Sequence, residues 1–105
     1  MGEQYRQGDV LLVRTRSREL RGATLVPRNQ GRIILALGEA TGHAHAIASG
    51  HADLLEVEGG ERYLRVEGPT ALTHEEHAAI ELEPGLYRVI RQREYGPGVP
   101  EYVRD

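Results

Sequence analysis

The stretch Asp53-Leu54-Leu55-Glu56-Val57-Glu58-Gly59-Gly60-Glu61-Arg62-Tyr63-Leu64-Arg65-Val66-Glu67 decides the fold class. Leu55 and Val57 before the paired glycines, and Leu64 and Val66 after them, alternate with charged residues as a half-buried strand requires. Gly59-Gly60 supplies the positive φ angles that a tight connection needs. The stretch therefore predicts a β-hairpin with strands over 53–58 and 62–67.

Working outward from that hairpin, the same short-strand pattern recurs. Residues 1–7 are polar and read as a loose start. Gly8-Asp9 leads into a β-branched and leucine-rich run over 10–16. Residues 17–22 are charged and form a connection too short for a stable helix. Residues 23–27 make a short strand edged by Pro27, and Asn29-Gln30-Gly31 is a turn signal. Residues 32–37 are the most apolar run and read as a central strand. The segment 38–42 breaks it, and 43–49 resumes as a strand, followed by a turn at Gly50-His51.

Beyond the hairpin, 70–73 and 78–82 read as strands separated by His74-Glu75-Glu76-His77. A helix over 74–82 is the competing local reading, favoured by the glutamates and alanines. Pro84-Gly85 fits a type II turn. The last long strand spans 86–95, with Tyr87, Val89, Arg91, Arg93 and Tyr95 on one face. Residues 96–100 end regular pairing. The sum is a small all-β barrel or sandwich of about eight short, mostly antiparallel strands. It is read as a single β domain over 1–105 with a short irregular C-terminal tail.

Composition limits the function classes. The 105 residues contain no Phe, Trp or Cys, and five Tyr are the whole aromatic stock. The core is then small and aliphatic, and burial of apolar surface between two copies predicts a homodimer. Without Cys there are no disulfides and no thiolate metal sites. Every basic side chain is Arg, yet the net charge is −3. That balance argues against an extended nucleic-acid groove and leaves room for a small anionic or nucleotide ligand held by a few arginines. No signal-peptide pattern opens the chain, and no apolar run approaches the ~18 residues of a membrane span. A cytoplasmic protein with no membrane partner is expected.

Four of the five histidines fall in two short segments, Gly42-His43-Ala44-His45 and His74-Glu75-Glu76-His77. On a strand, His43 and His45 share a face, and adjacent imidazoles suit a metal. His74 and His77 share a face on a helix; on a strand they meet only through a loop or bulge. Glu39 stands at the strand break before the first pair, where it can orient an imidazole, serve as a base or join a metal. Thr41 lies beside it. Gln92-Arg93-Glu94-Tyr95 brings an anion-binding Arg93 and a hydrogen-bonding Tyr95 to the end of the last strand, with Gln92 as a further ligand contact.

The segment from Gly38 to His45 resembles the first motif of cupins, in which a glycine leads into HxH on a strand. That resemblance implies a β-barrel with a metal held by His43 and His45. The second cupin motif, a histidine shortly after Pro-Gly, has no counterpart, because Leu86-Tyr87-Arg88 follow Pro84-Gly85. Gly8-Asp9-Val10-Leu11, the GHAH and HEEH segments and Gln92-Arg93-Glu94-Tyr95 together resemble a group of small bacterial and phage proteins of unassigned function, over most of the chain.

Two chemistries fit these residues. In the first, the protein is a metal-independent hydrolase of the nuclease type, without a cofactor, cutting phosphodiesters in RNA or a small, for instance cyclic, oligonucleotide. His43, His45, His74 and His77 supply acid and base, and Arg93 stabilises the crowded phosphate. A ring nuclease is one concrete version. In the second, His43, His45, His74 and His77, with Glu39, hold Zn, Ni, Fe or Mn in a cupin-like β-barrel. A third reading is a non-enzymatic interaction module. The sequence favours the first, because Arg93 and Tyr95 border the same expected cleft and the two histidine pairs come from separate segments.

Overall fold

The computed structural model describes residues 3–16, 20–37 and 43–91. Ten short strands are counted among these residues, and they contain no α-helix. The strands are β1 (Gln4–Gln7), β2 (Val10–Arg14), β3 (Thr24–Leu25), β4 (Ile33–Leu37), β5 (Ala44–Ile47), β6 (Ala52–Glu56), β7 (Arg62–Val66), β8 (Thr70–Leu72), β9 (Ile80–Leu82) and β10 (Gly85–Arg91). No helix of the described residues is long and apolar enough to cross a membrane.

The all-β expectation holds, and the architecture is sandwich-like rather than a closed barrel. One layer is a six-stranded antiparallel sheet in the order β1-β2-β10-β7-β6-β3. The second is built from the pairs β4-β5 and β8-β9. A bridge joins these pairs, in which Ala46 and Thr73 exchange backbone hydrogen bonds of 2.9 Å in both directions.

The hairpin read from 53–67 is β6-β7, in register from Ala52↔Val66 to Glu56↔Arg62. Val57 N–H closes the turn on Glu61 O at 2.9 Å, and Gly59 and Gly60 take φ of 103° and 94°. A side chain at either position would be strained there. Asn29-Gln30-Gly31 also turns as expected, with Gln30 at φ 54° and Gly31 at φ 82° between bridged Asn29 and Arg32.

Three expectations and one competing reading are corrected. Residues 4–7 are not loose: β1 is an edge strand, turned onto β2 by Gly8-Asp9, with Gln7 paired to Val10. Its polar composition hid it, but Gly8 at φ 60° occupies the first central position that a two-residue hairpin turn demands. The apolar run at 32–37 is not central in the large sheet. As β4 it lies in the second layer and pairs with β5. It is so apolar because an irregularity in register between Ile34 and Ala36 turns both Leu35 and Ala36 inward. No helix forms over 74–82; residues 74–79 are an irregular bend before β9. Gly85 already pairs with Val66 at φ 156°, so the Pro84-Gly85 connection is not a type II turn.

The core lies between the layers. Val10, Leu12, Leu54, Leu64, Val66 and Tyr87 come from the large sheet, and Ile33, Leu35, Ile47, Leu72 and Leu82 from the smaller one. Tyr87 keeps its hydroxyl satisfied by donating to Glu83 O at 2.6 Å and accepting from Arg14 Nη2 at 3.1 Å. Burial pushes that phenol up to about 12. Leu64 is fully buried at 0% exposure. Leu64→Ala is therefore expected to lower unfolding free energy by about 2–5 kcal/mol in urea titration; a loss well below about 1 kcal/mol would contradict this packing.

Candidate functional site

The site forms where the β1-β2 turn meets the start of β5 and the bend after β8. By the two-residue period, His45 shares the inward face of β5 with Ile47, a core residue. An imidazole at a core-facing position, 5% exposed, needs fixed polar partners. Gln7, itself 3% exposed, provides one: its Oε1 lies 2.9 Å from His45 Nδ1. The Gln7 amide is oriented by its other end, where Nε2 donates to Leu72 O at 3.0 Å and Ala78 O at 2.9 Å. Oε1 is then the acceptor, so His45 Nδ1–H donates to it. On the other side of the ring, His45 Nε2 lies 3.3 Å from Asp9 Oδ1.

The bend over 74–79 brings both of its histidines to this ring. His74 sits 4.2 Å from His45 between ring centroids, His77 sits 4.7 Å from His74, and His45 and His77 stack at 5.9 Å. His43, just before β5 and half-buried, meets His74 edge-on at 5.7 Å. All four histidines singled out in the sequence therefore converge within one chain. Neither a helix nor a straight strand achieves this; the irregular bend does.

Carboxylates surround the imidazoles. Glu75 Oε1 accepts the Ala44 N–H at 2.9 Å, tying the bend to β5. Glu76 Oε2 lies 3.3 Å from His43 Nδ1, and the Glu76 N–H donates to His74 Nδ1 at 2.9 Å. Asp9 Oδ2 faces Arg91 Nε at 3.5 Å, and Arg91 Nη2 donates to Leu37 O at 2.7 Å. Burial pushes the His45 imidazole below its ordinary value, and His74, His77 and Arg91 act the same way against an opposing pull from Asp9. The Ala44 N–H holds the Glu75 carboxyl below the usual carboxylate range.

Ligand atoms of His43, His74 and Glu75 all lie within 4.8 Å of one another, the spacing from which one ion can be held. Glu39, Thr41, Gln92, Arg93 and Tyr95, named from the sequence as ligand, base or anion-binding residues, lie outside the described residues. His51 is an exposed turn residue apart from the cluster, as its glycine neighbour suggests.

A family model matches residues 6–92. The chain belongs to that family, the Domain of unknown function DUF8820. No curated protein and no solved structure matches the chain. Membership of DUF8820 brings no activity with it, so the chemistry has to come from the residues.

In this DUF8820 chain, sequence reasoning missed Gln7, Asp9 and Glu75 and did not see what Arg91 does. Gln7 and Asp9 stand in segments that the sequence gives as a loose start or a lead-in, and Glu75 and Glu76 enter the sequence reading only as residues that favour a helix. The available signal was Gly8: a glycine between two polar residues just before a strand marks a tight turn whose flanking side chains are fixed in direction.

Gln7→Leu keeps the volume and removes the amide. It leaves the carbonyls of Leu72 and Ala78 and His45 Nδ1–H without their partner. A loss of about 1–3 kcal/mol is expected in urea unfolding, together with a change of His45 tautomer in ¹⁵N imidazole NMR. An unchanged tautomer would contradict the account of Gln7.

Proposed function

We propose that the protein is a divalent-metal-binding β-sandwich in which His43, His74 and Glu75 hold the ion. The convergence of their ligand atoms within 4.8 Å carries the reading. Three details support it. Glu76 Oε2 lies 3.3 Å from His43 Nδ1, so a carboxylate orients this imidazole as carboxylates orient metal-bound histidines. Glu75 is ionised readily, because the Ala44 N–H stabilises its charged form. His74 Nδ1 accepts an exposed N–H, and water can replace that partner if the metal takes the nitrogen.

Nitrogen and carboxylate donors without thiolate suit Zn, Ni, Fe or Mn. Glu75 is exposed and His43 half-buried, so the ion has an open side toward solvent. A metal with an open position lowers the pKa of bound water and so suits hydrolysis.

Metal-independent cleavage of RNA or a cyclic oligonucleotide by the same histidines is the weaker reading. Asp9, Glu75 and Glu76 give the cluster a negative field that repels a phosphodiester unless a cation intervenes. Arg91, the described cation that reaches the cluster, is already turned onto Asp9 and Leu37 O.

The purified chain is expected to carry Zn, Ni, Fe or Mn by elemental analysis. After stripping with EDTA, adding that metal at 100-fold its dissociation constant is expected to stabilise the fold by about 2.7 kcal/mol. His43→Ala/His74→Ala should abolish the gain, and His51→Ala should keep it. A stripped wild-type chain whose melting temperature ignores all four metals would overturn the proposal.

A further inference from the structure

In β7 and β10 the two-residue period puts Arg62, Val89 and Arg91 on the face through which Leu64 and Tyr87 reach the core. Arginines in that register are not explained by packing, which would take aliphatic side chains there. The explanation lies at this end of the sandwich. A cleft of about 260 Å³ opens between that face and Leu35 of β4. Leu35, which is buried, and Val89, which is half-buried, give it an apolar lining. Arg62, Arg88, Arg91 and Glu61 supply its charged groups.

The cleft is positive in a chain whose net charge is −3, because its three guanidiniums stand against the carboxylate of Glu61. Carboxylates orient all three. Arg62 Nη2 lies 3.5 Å from Glu56 Oε1, Arg88 Nη2 lies 3.2 Å from Glu61 Oε2, and Arg91 Nε lies 3.5 Å from Asp9 Oδ2. Arg91 Nη2 also donates to Leu37 O at 2.7 Å. A guanidinium carries more N–H donors than these contacts use. Exposed ion pairs are also weak, so they yield to a ligand of higher charge. A phosphate monoester is such a ligand: it brings about −1.5 to −2 charges and several terminal oxygens, which guanidinium forks can share.

We propose that this cleft binds a small organic phosphate, with the phosphate on Arg62, Arg88 and Arg91 and its apolar part against Leu35 and Val89. The volume admits a compact molecule and not a polymer, since it falls just below the roughly 300–1,000 Å³ of ordinary ligand sites. Arg91 ties the cleft to the histidine cluster. Its Nε faces Asp9 Oδ2, and Asp9 Oδ1 lies 3.3 Å from His45 Nε2. The phosphate is therefore a binding handle on the Arg91 side of the cluster, and a phosphate-bearing molecule is the substrate class of that centre. The role as substrate rests on the metal reading of the cluster, whereas the binding itself does not. The rival explanation of the same residues is a set of surface ion pairs with no ligand.

The experiment is titration of the EDTA-stripped full chain with phenyl phosphate, and separately with benzoate, at neutral pH and low ionic strength, read by ¹H–¹⁵N NMR. Phenyl phosphate is expected to shift the backbone amides of Gly60, Arg62 and Val89. Arg62→Gln/Arg88→Gln is expected to weaken binding by about tenfold or more, and His43→Ala/His74→Ala to leave it unchanged. Should the arginine variant not fold by circular dichroism, the map of shifted amides in wild type decides alone. No shift at those amides at millimolar phenyl phosphate overturns the proposal. Binding that survives Arg62→Gln/Arg88→Gln but is lost in His43→Ala/His74→Ala puts the anion on the imidazoles and overturns it too. Benzoate bound as tightly as phenyl phosphate overturns the phosphate assignment. Because the chain is metal-free in this titration, failure here leaves the metal reading standing, and failure of metal uptake leaves the cleft standing.

Discussion

The site depends on one buried amide. Gln7 reaches from the edge strand β1 of the large sheet into the smaller layer, donates to the carbonyls of Leu72 and Ala78, and accepts from His45. Those three contacts join β1, β5, β8 and the bend that follows β8. A buried amide with all its partners in place is directional in a way that aliphatic packing is not, and a partly satisfied one is costly. The Gln7 contacts therefore do more than hold two layers together. They set which nitrogen of His45 carries the proton, and so which nitrogen is open to chemistry.

Around that amide, local conformation and tertiary pairing reinforce each other. The Gly8-Asp9 turn brings Gln7 and Asp9 to opposite sides of the same imidazole. The Ala46–Thr73 bridge aligns β5 with the end of β8, so that the chain leaving β8 passes directly over β5. The Ala44 N–H then captures Glu75 and fixes the bend. With the bend in place, the rings of His74 and His77 lie against that of His45. Four imidazoles and three carboxylates meet there, with Arg91 balancing Asp9 from β10. Such a concentration of lone pairs is poorly stabilised by itself and well stabilised by a cation.

Part of this was legible in the sequence. The alternation around Gly59-Gly60 predicted the β6-β7 hairpin, and the clustering of His43, His45, His74 and His77 predicted a composite site. Less visible was anything set by long-range pairing. β1 is polar because it is an edge strand, and its Gln7 looks like any surface glutamine until β8 and β9 close over it. The run at 32–37 is apolar because the register irregularity at Ile34/Ala36 buries two successive residues, not because the strand is central. Glu75 and Glu76 gave no sign of a site role because nothing local shows that the Ala44 N–H and His43 stand opposite them. The preference for phosphodiester chemistry leaned on Arg93 and Tyr95, which lie outside the described residues. The cluster as described is acidic on its rim, and that favours a bound cation over a bare anion.

The most direct test of the central claim is anomalous diffraction from crystals of the chain grown with zinc, recorded on both sides of the zinc absorption edge. The account predicts a difference peak within about 2.0–2.2 Å of ring nitrogens of His43 and His74 and an oxygen of Glu75. An anomalous map with no peak at the four-histidine cluster, in crystals soaked at saturating zinc, would contradict it.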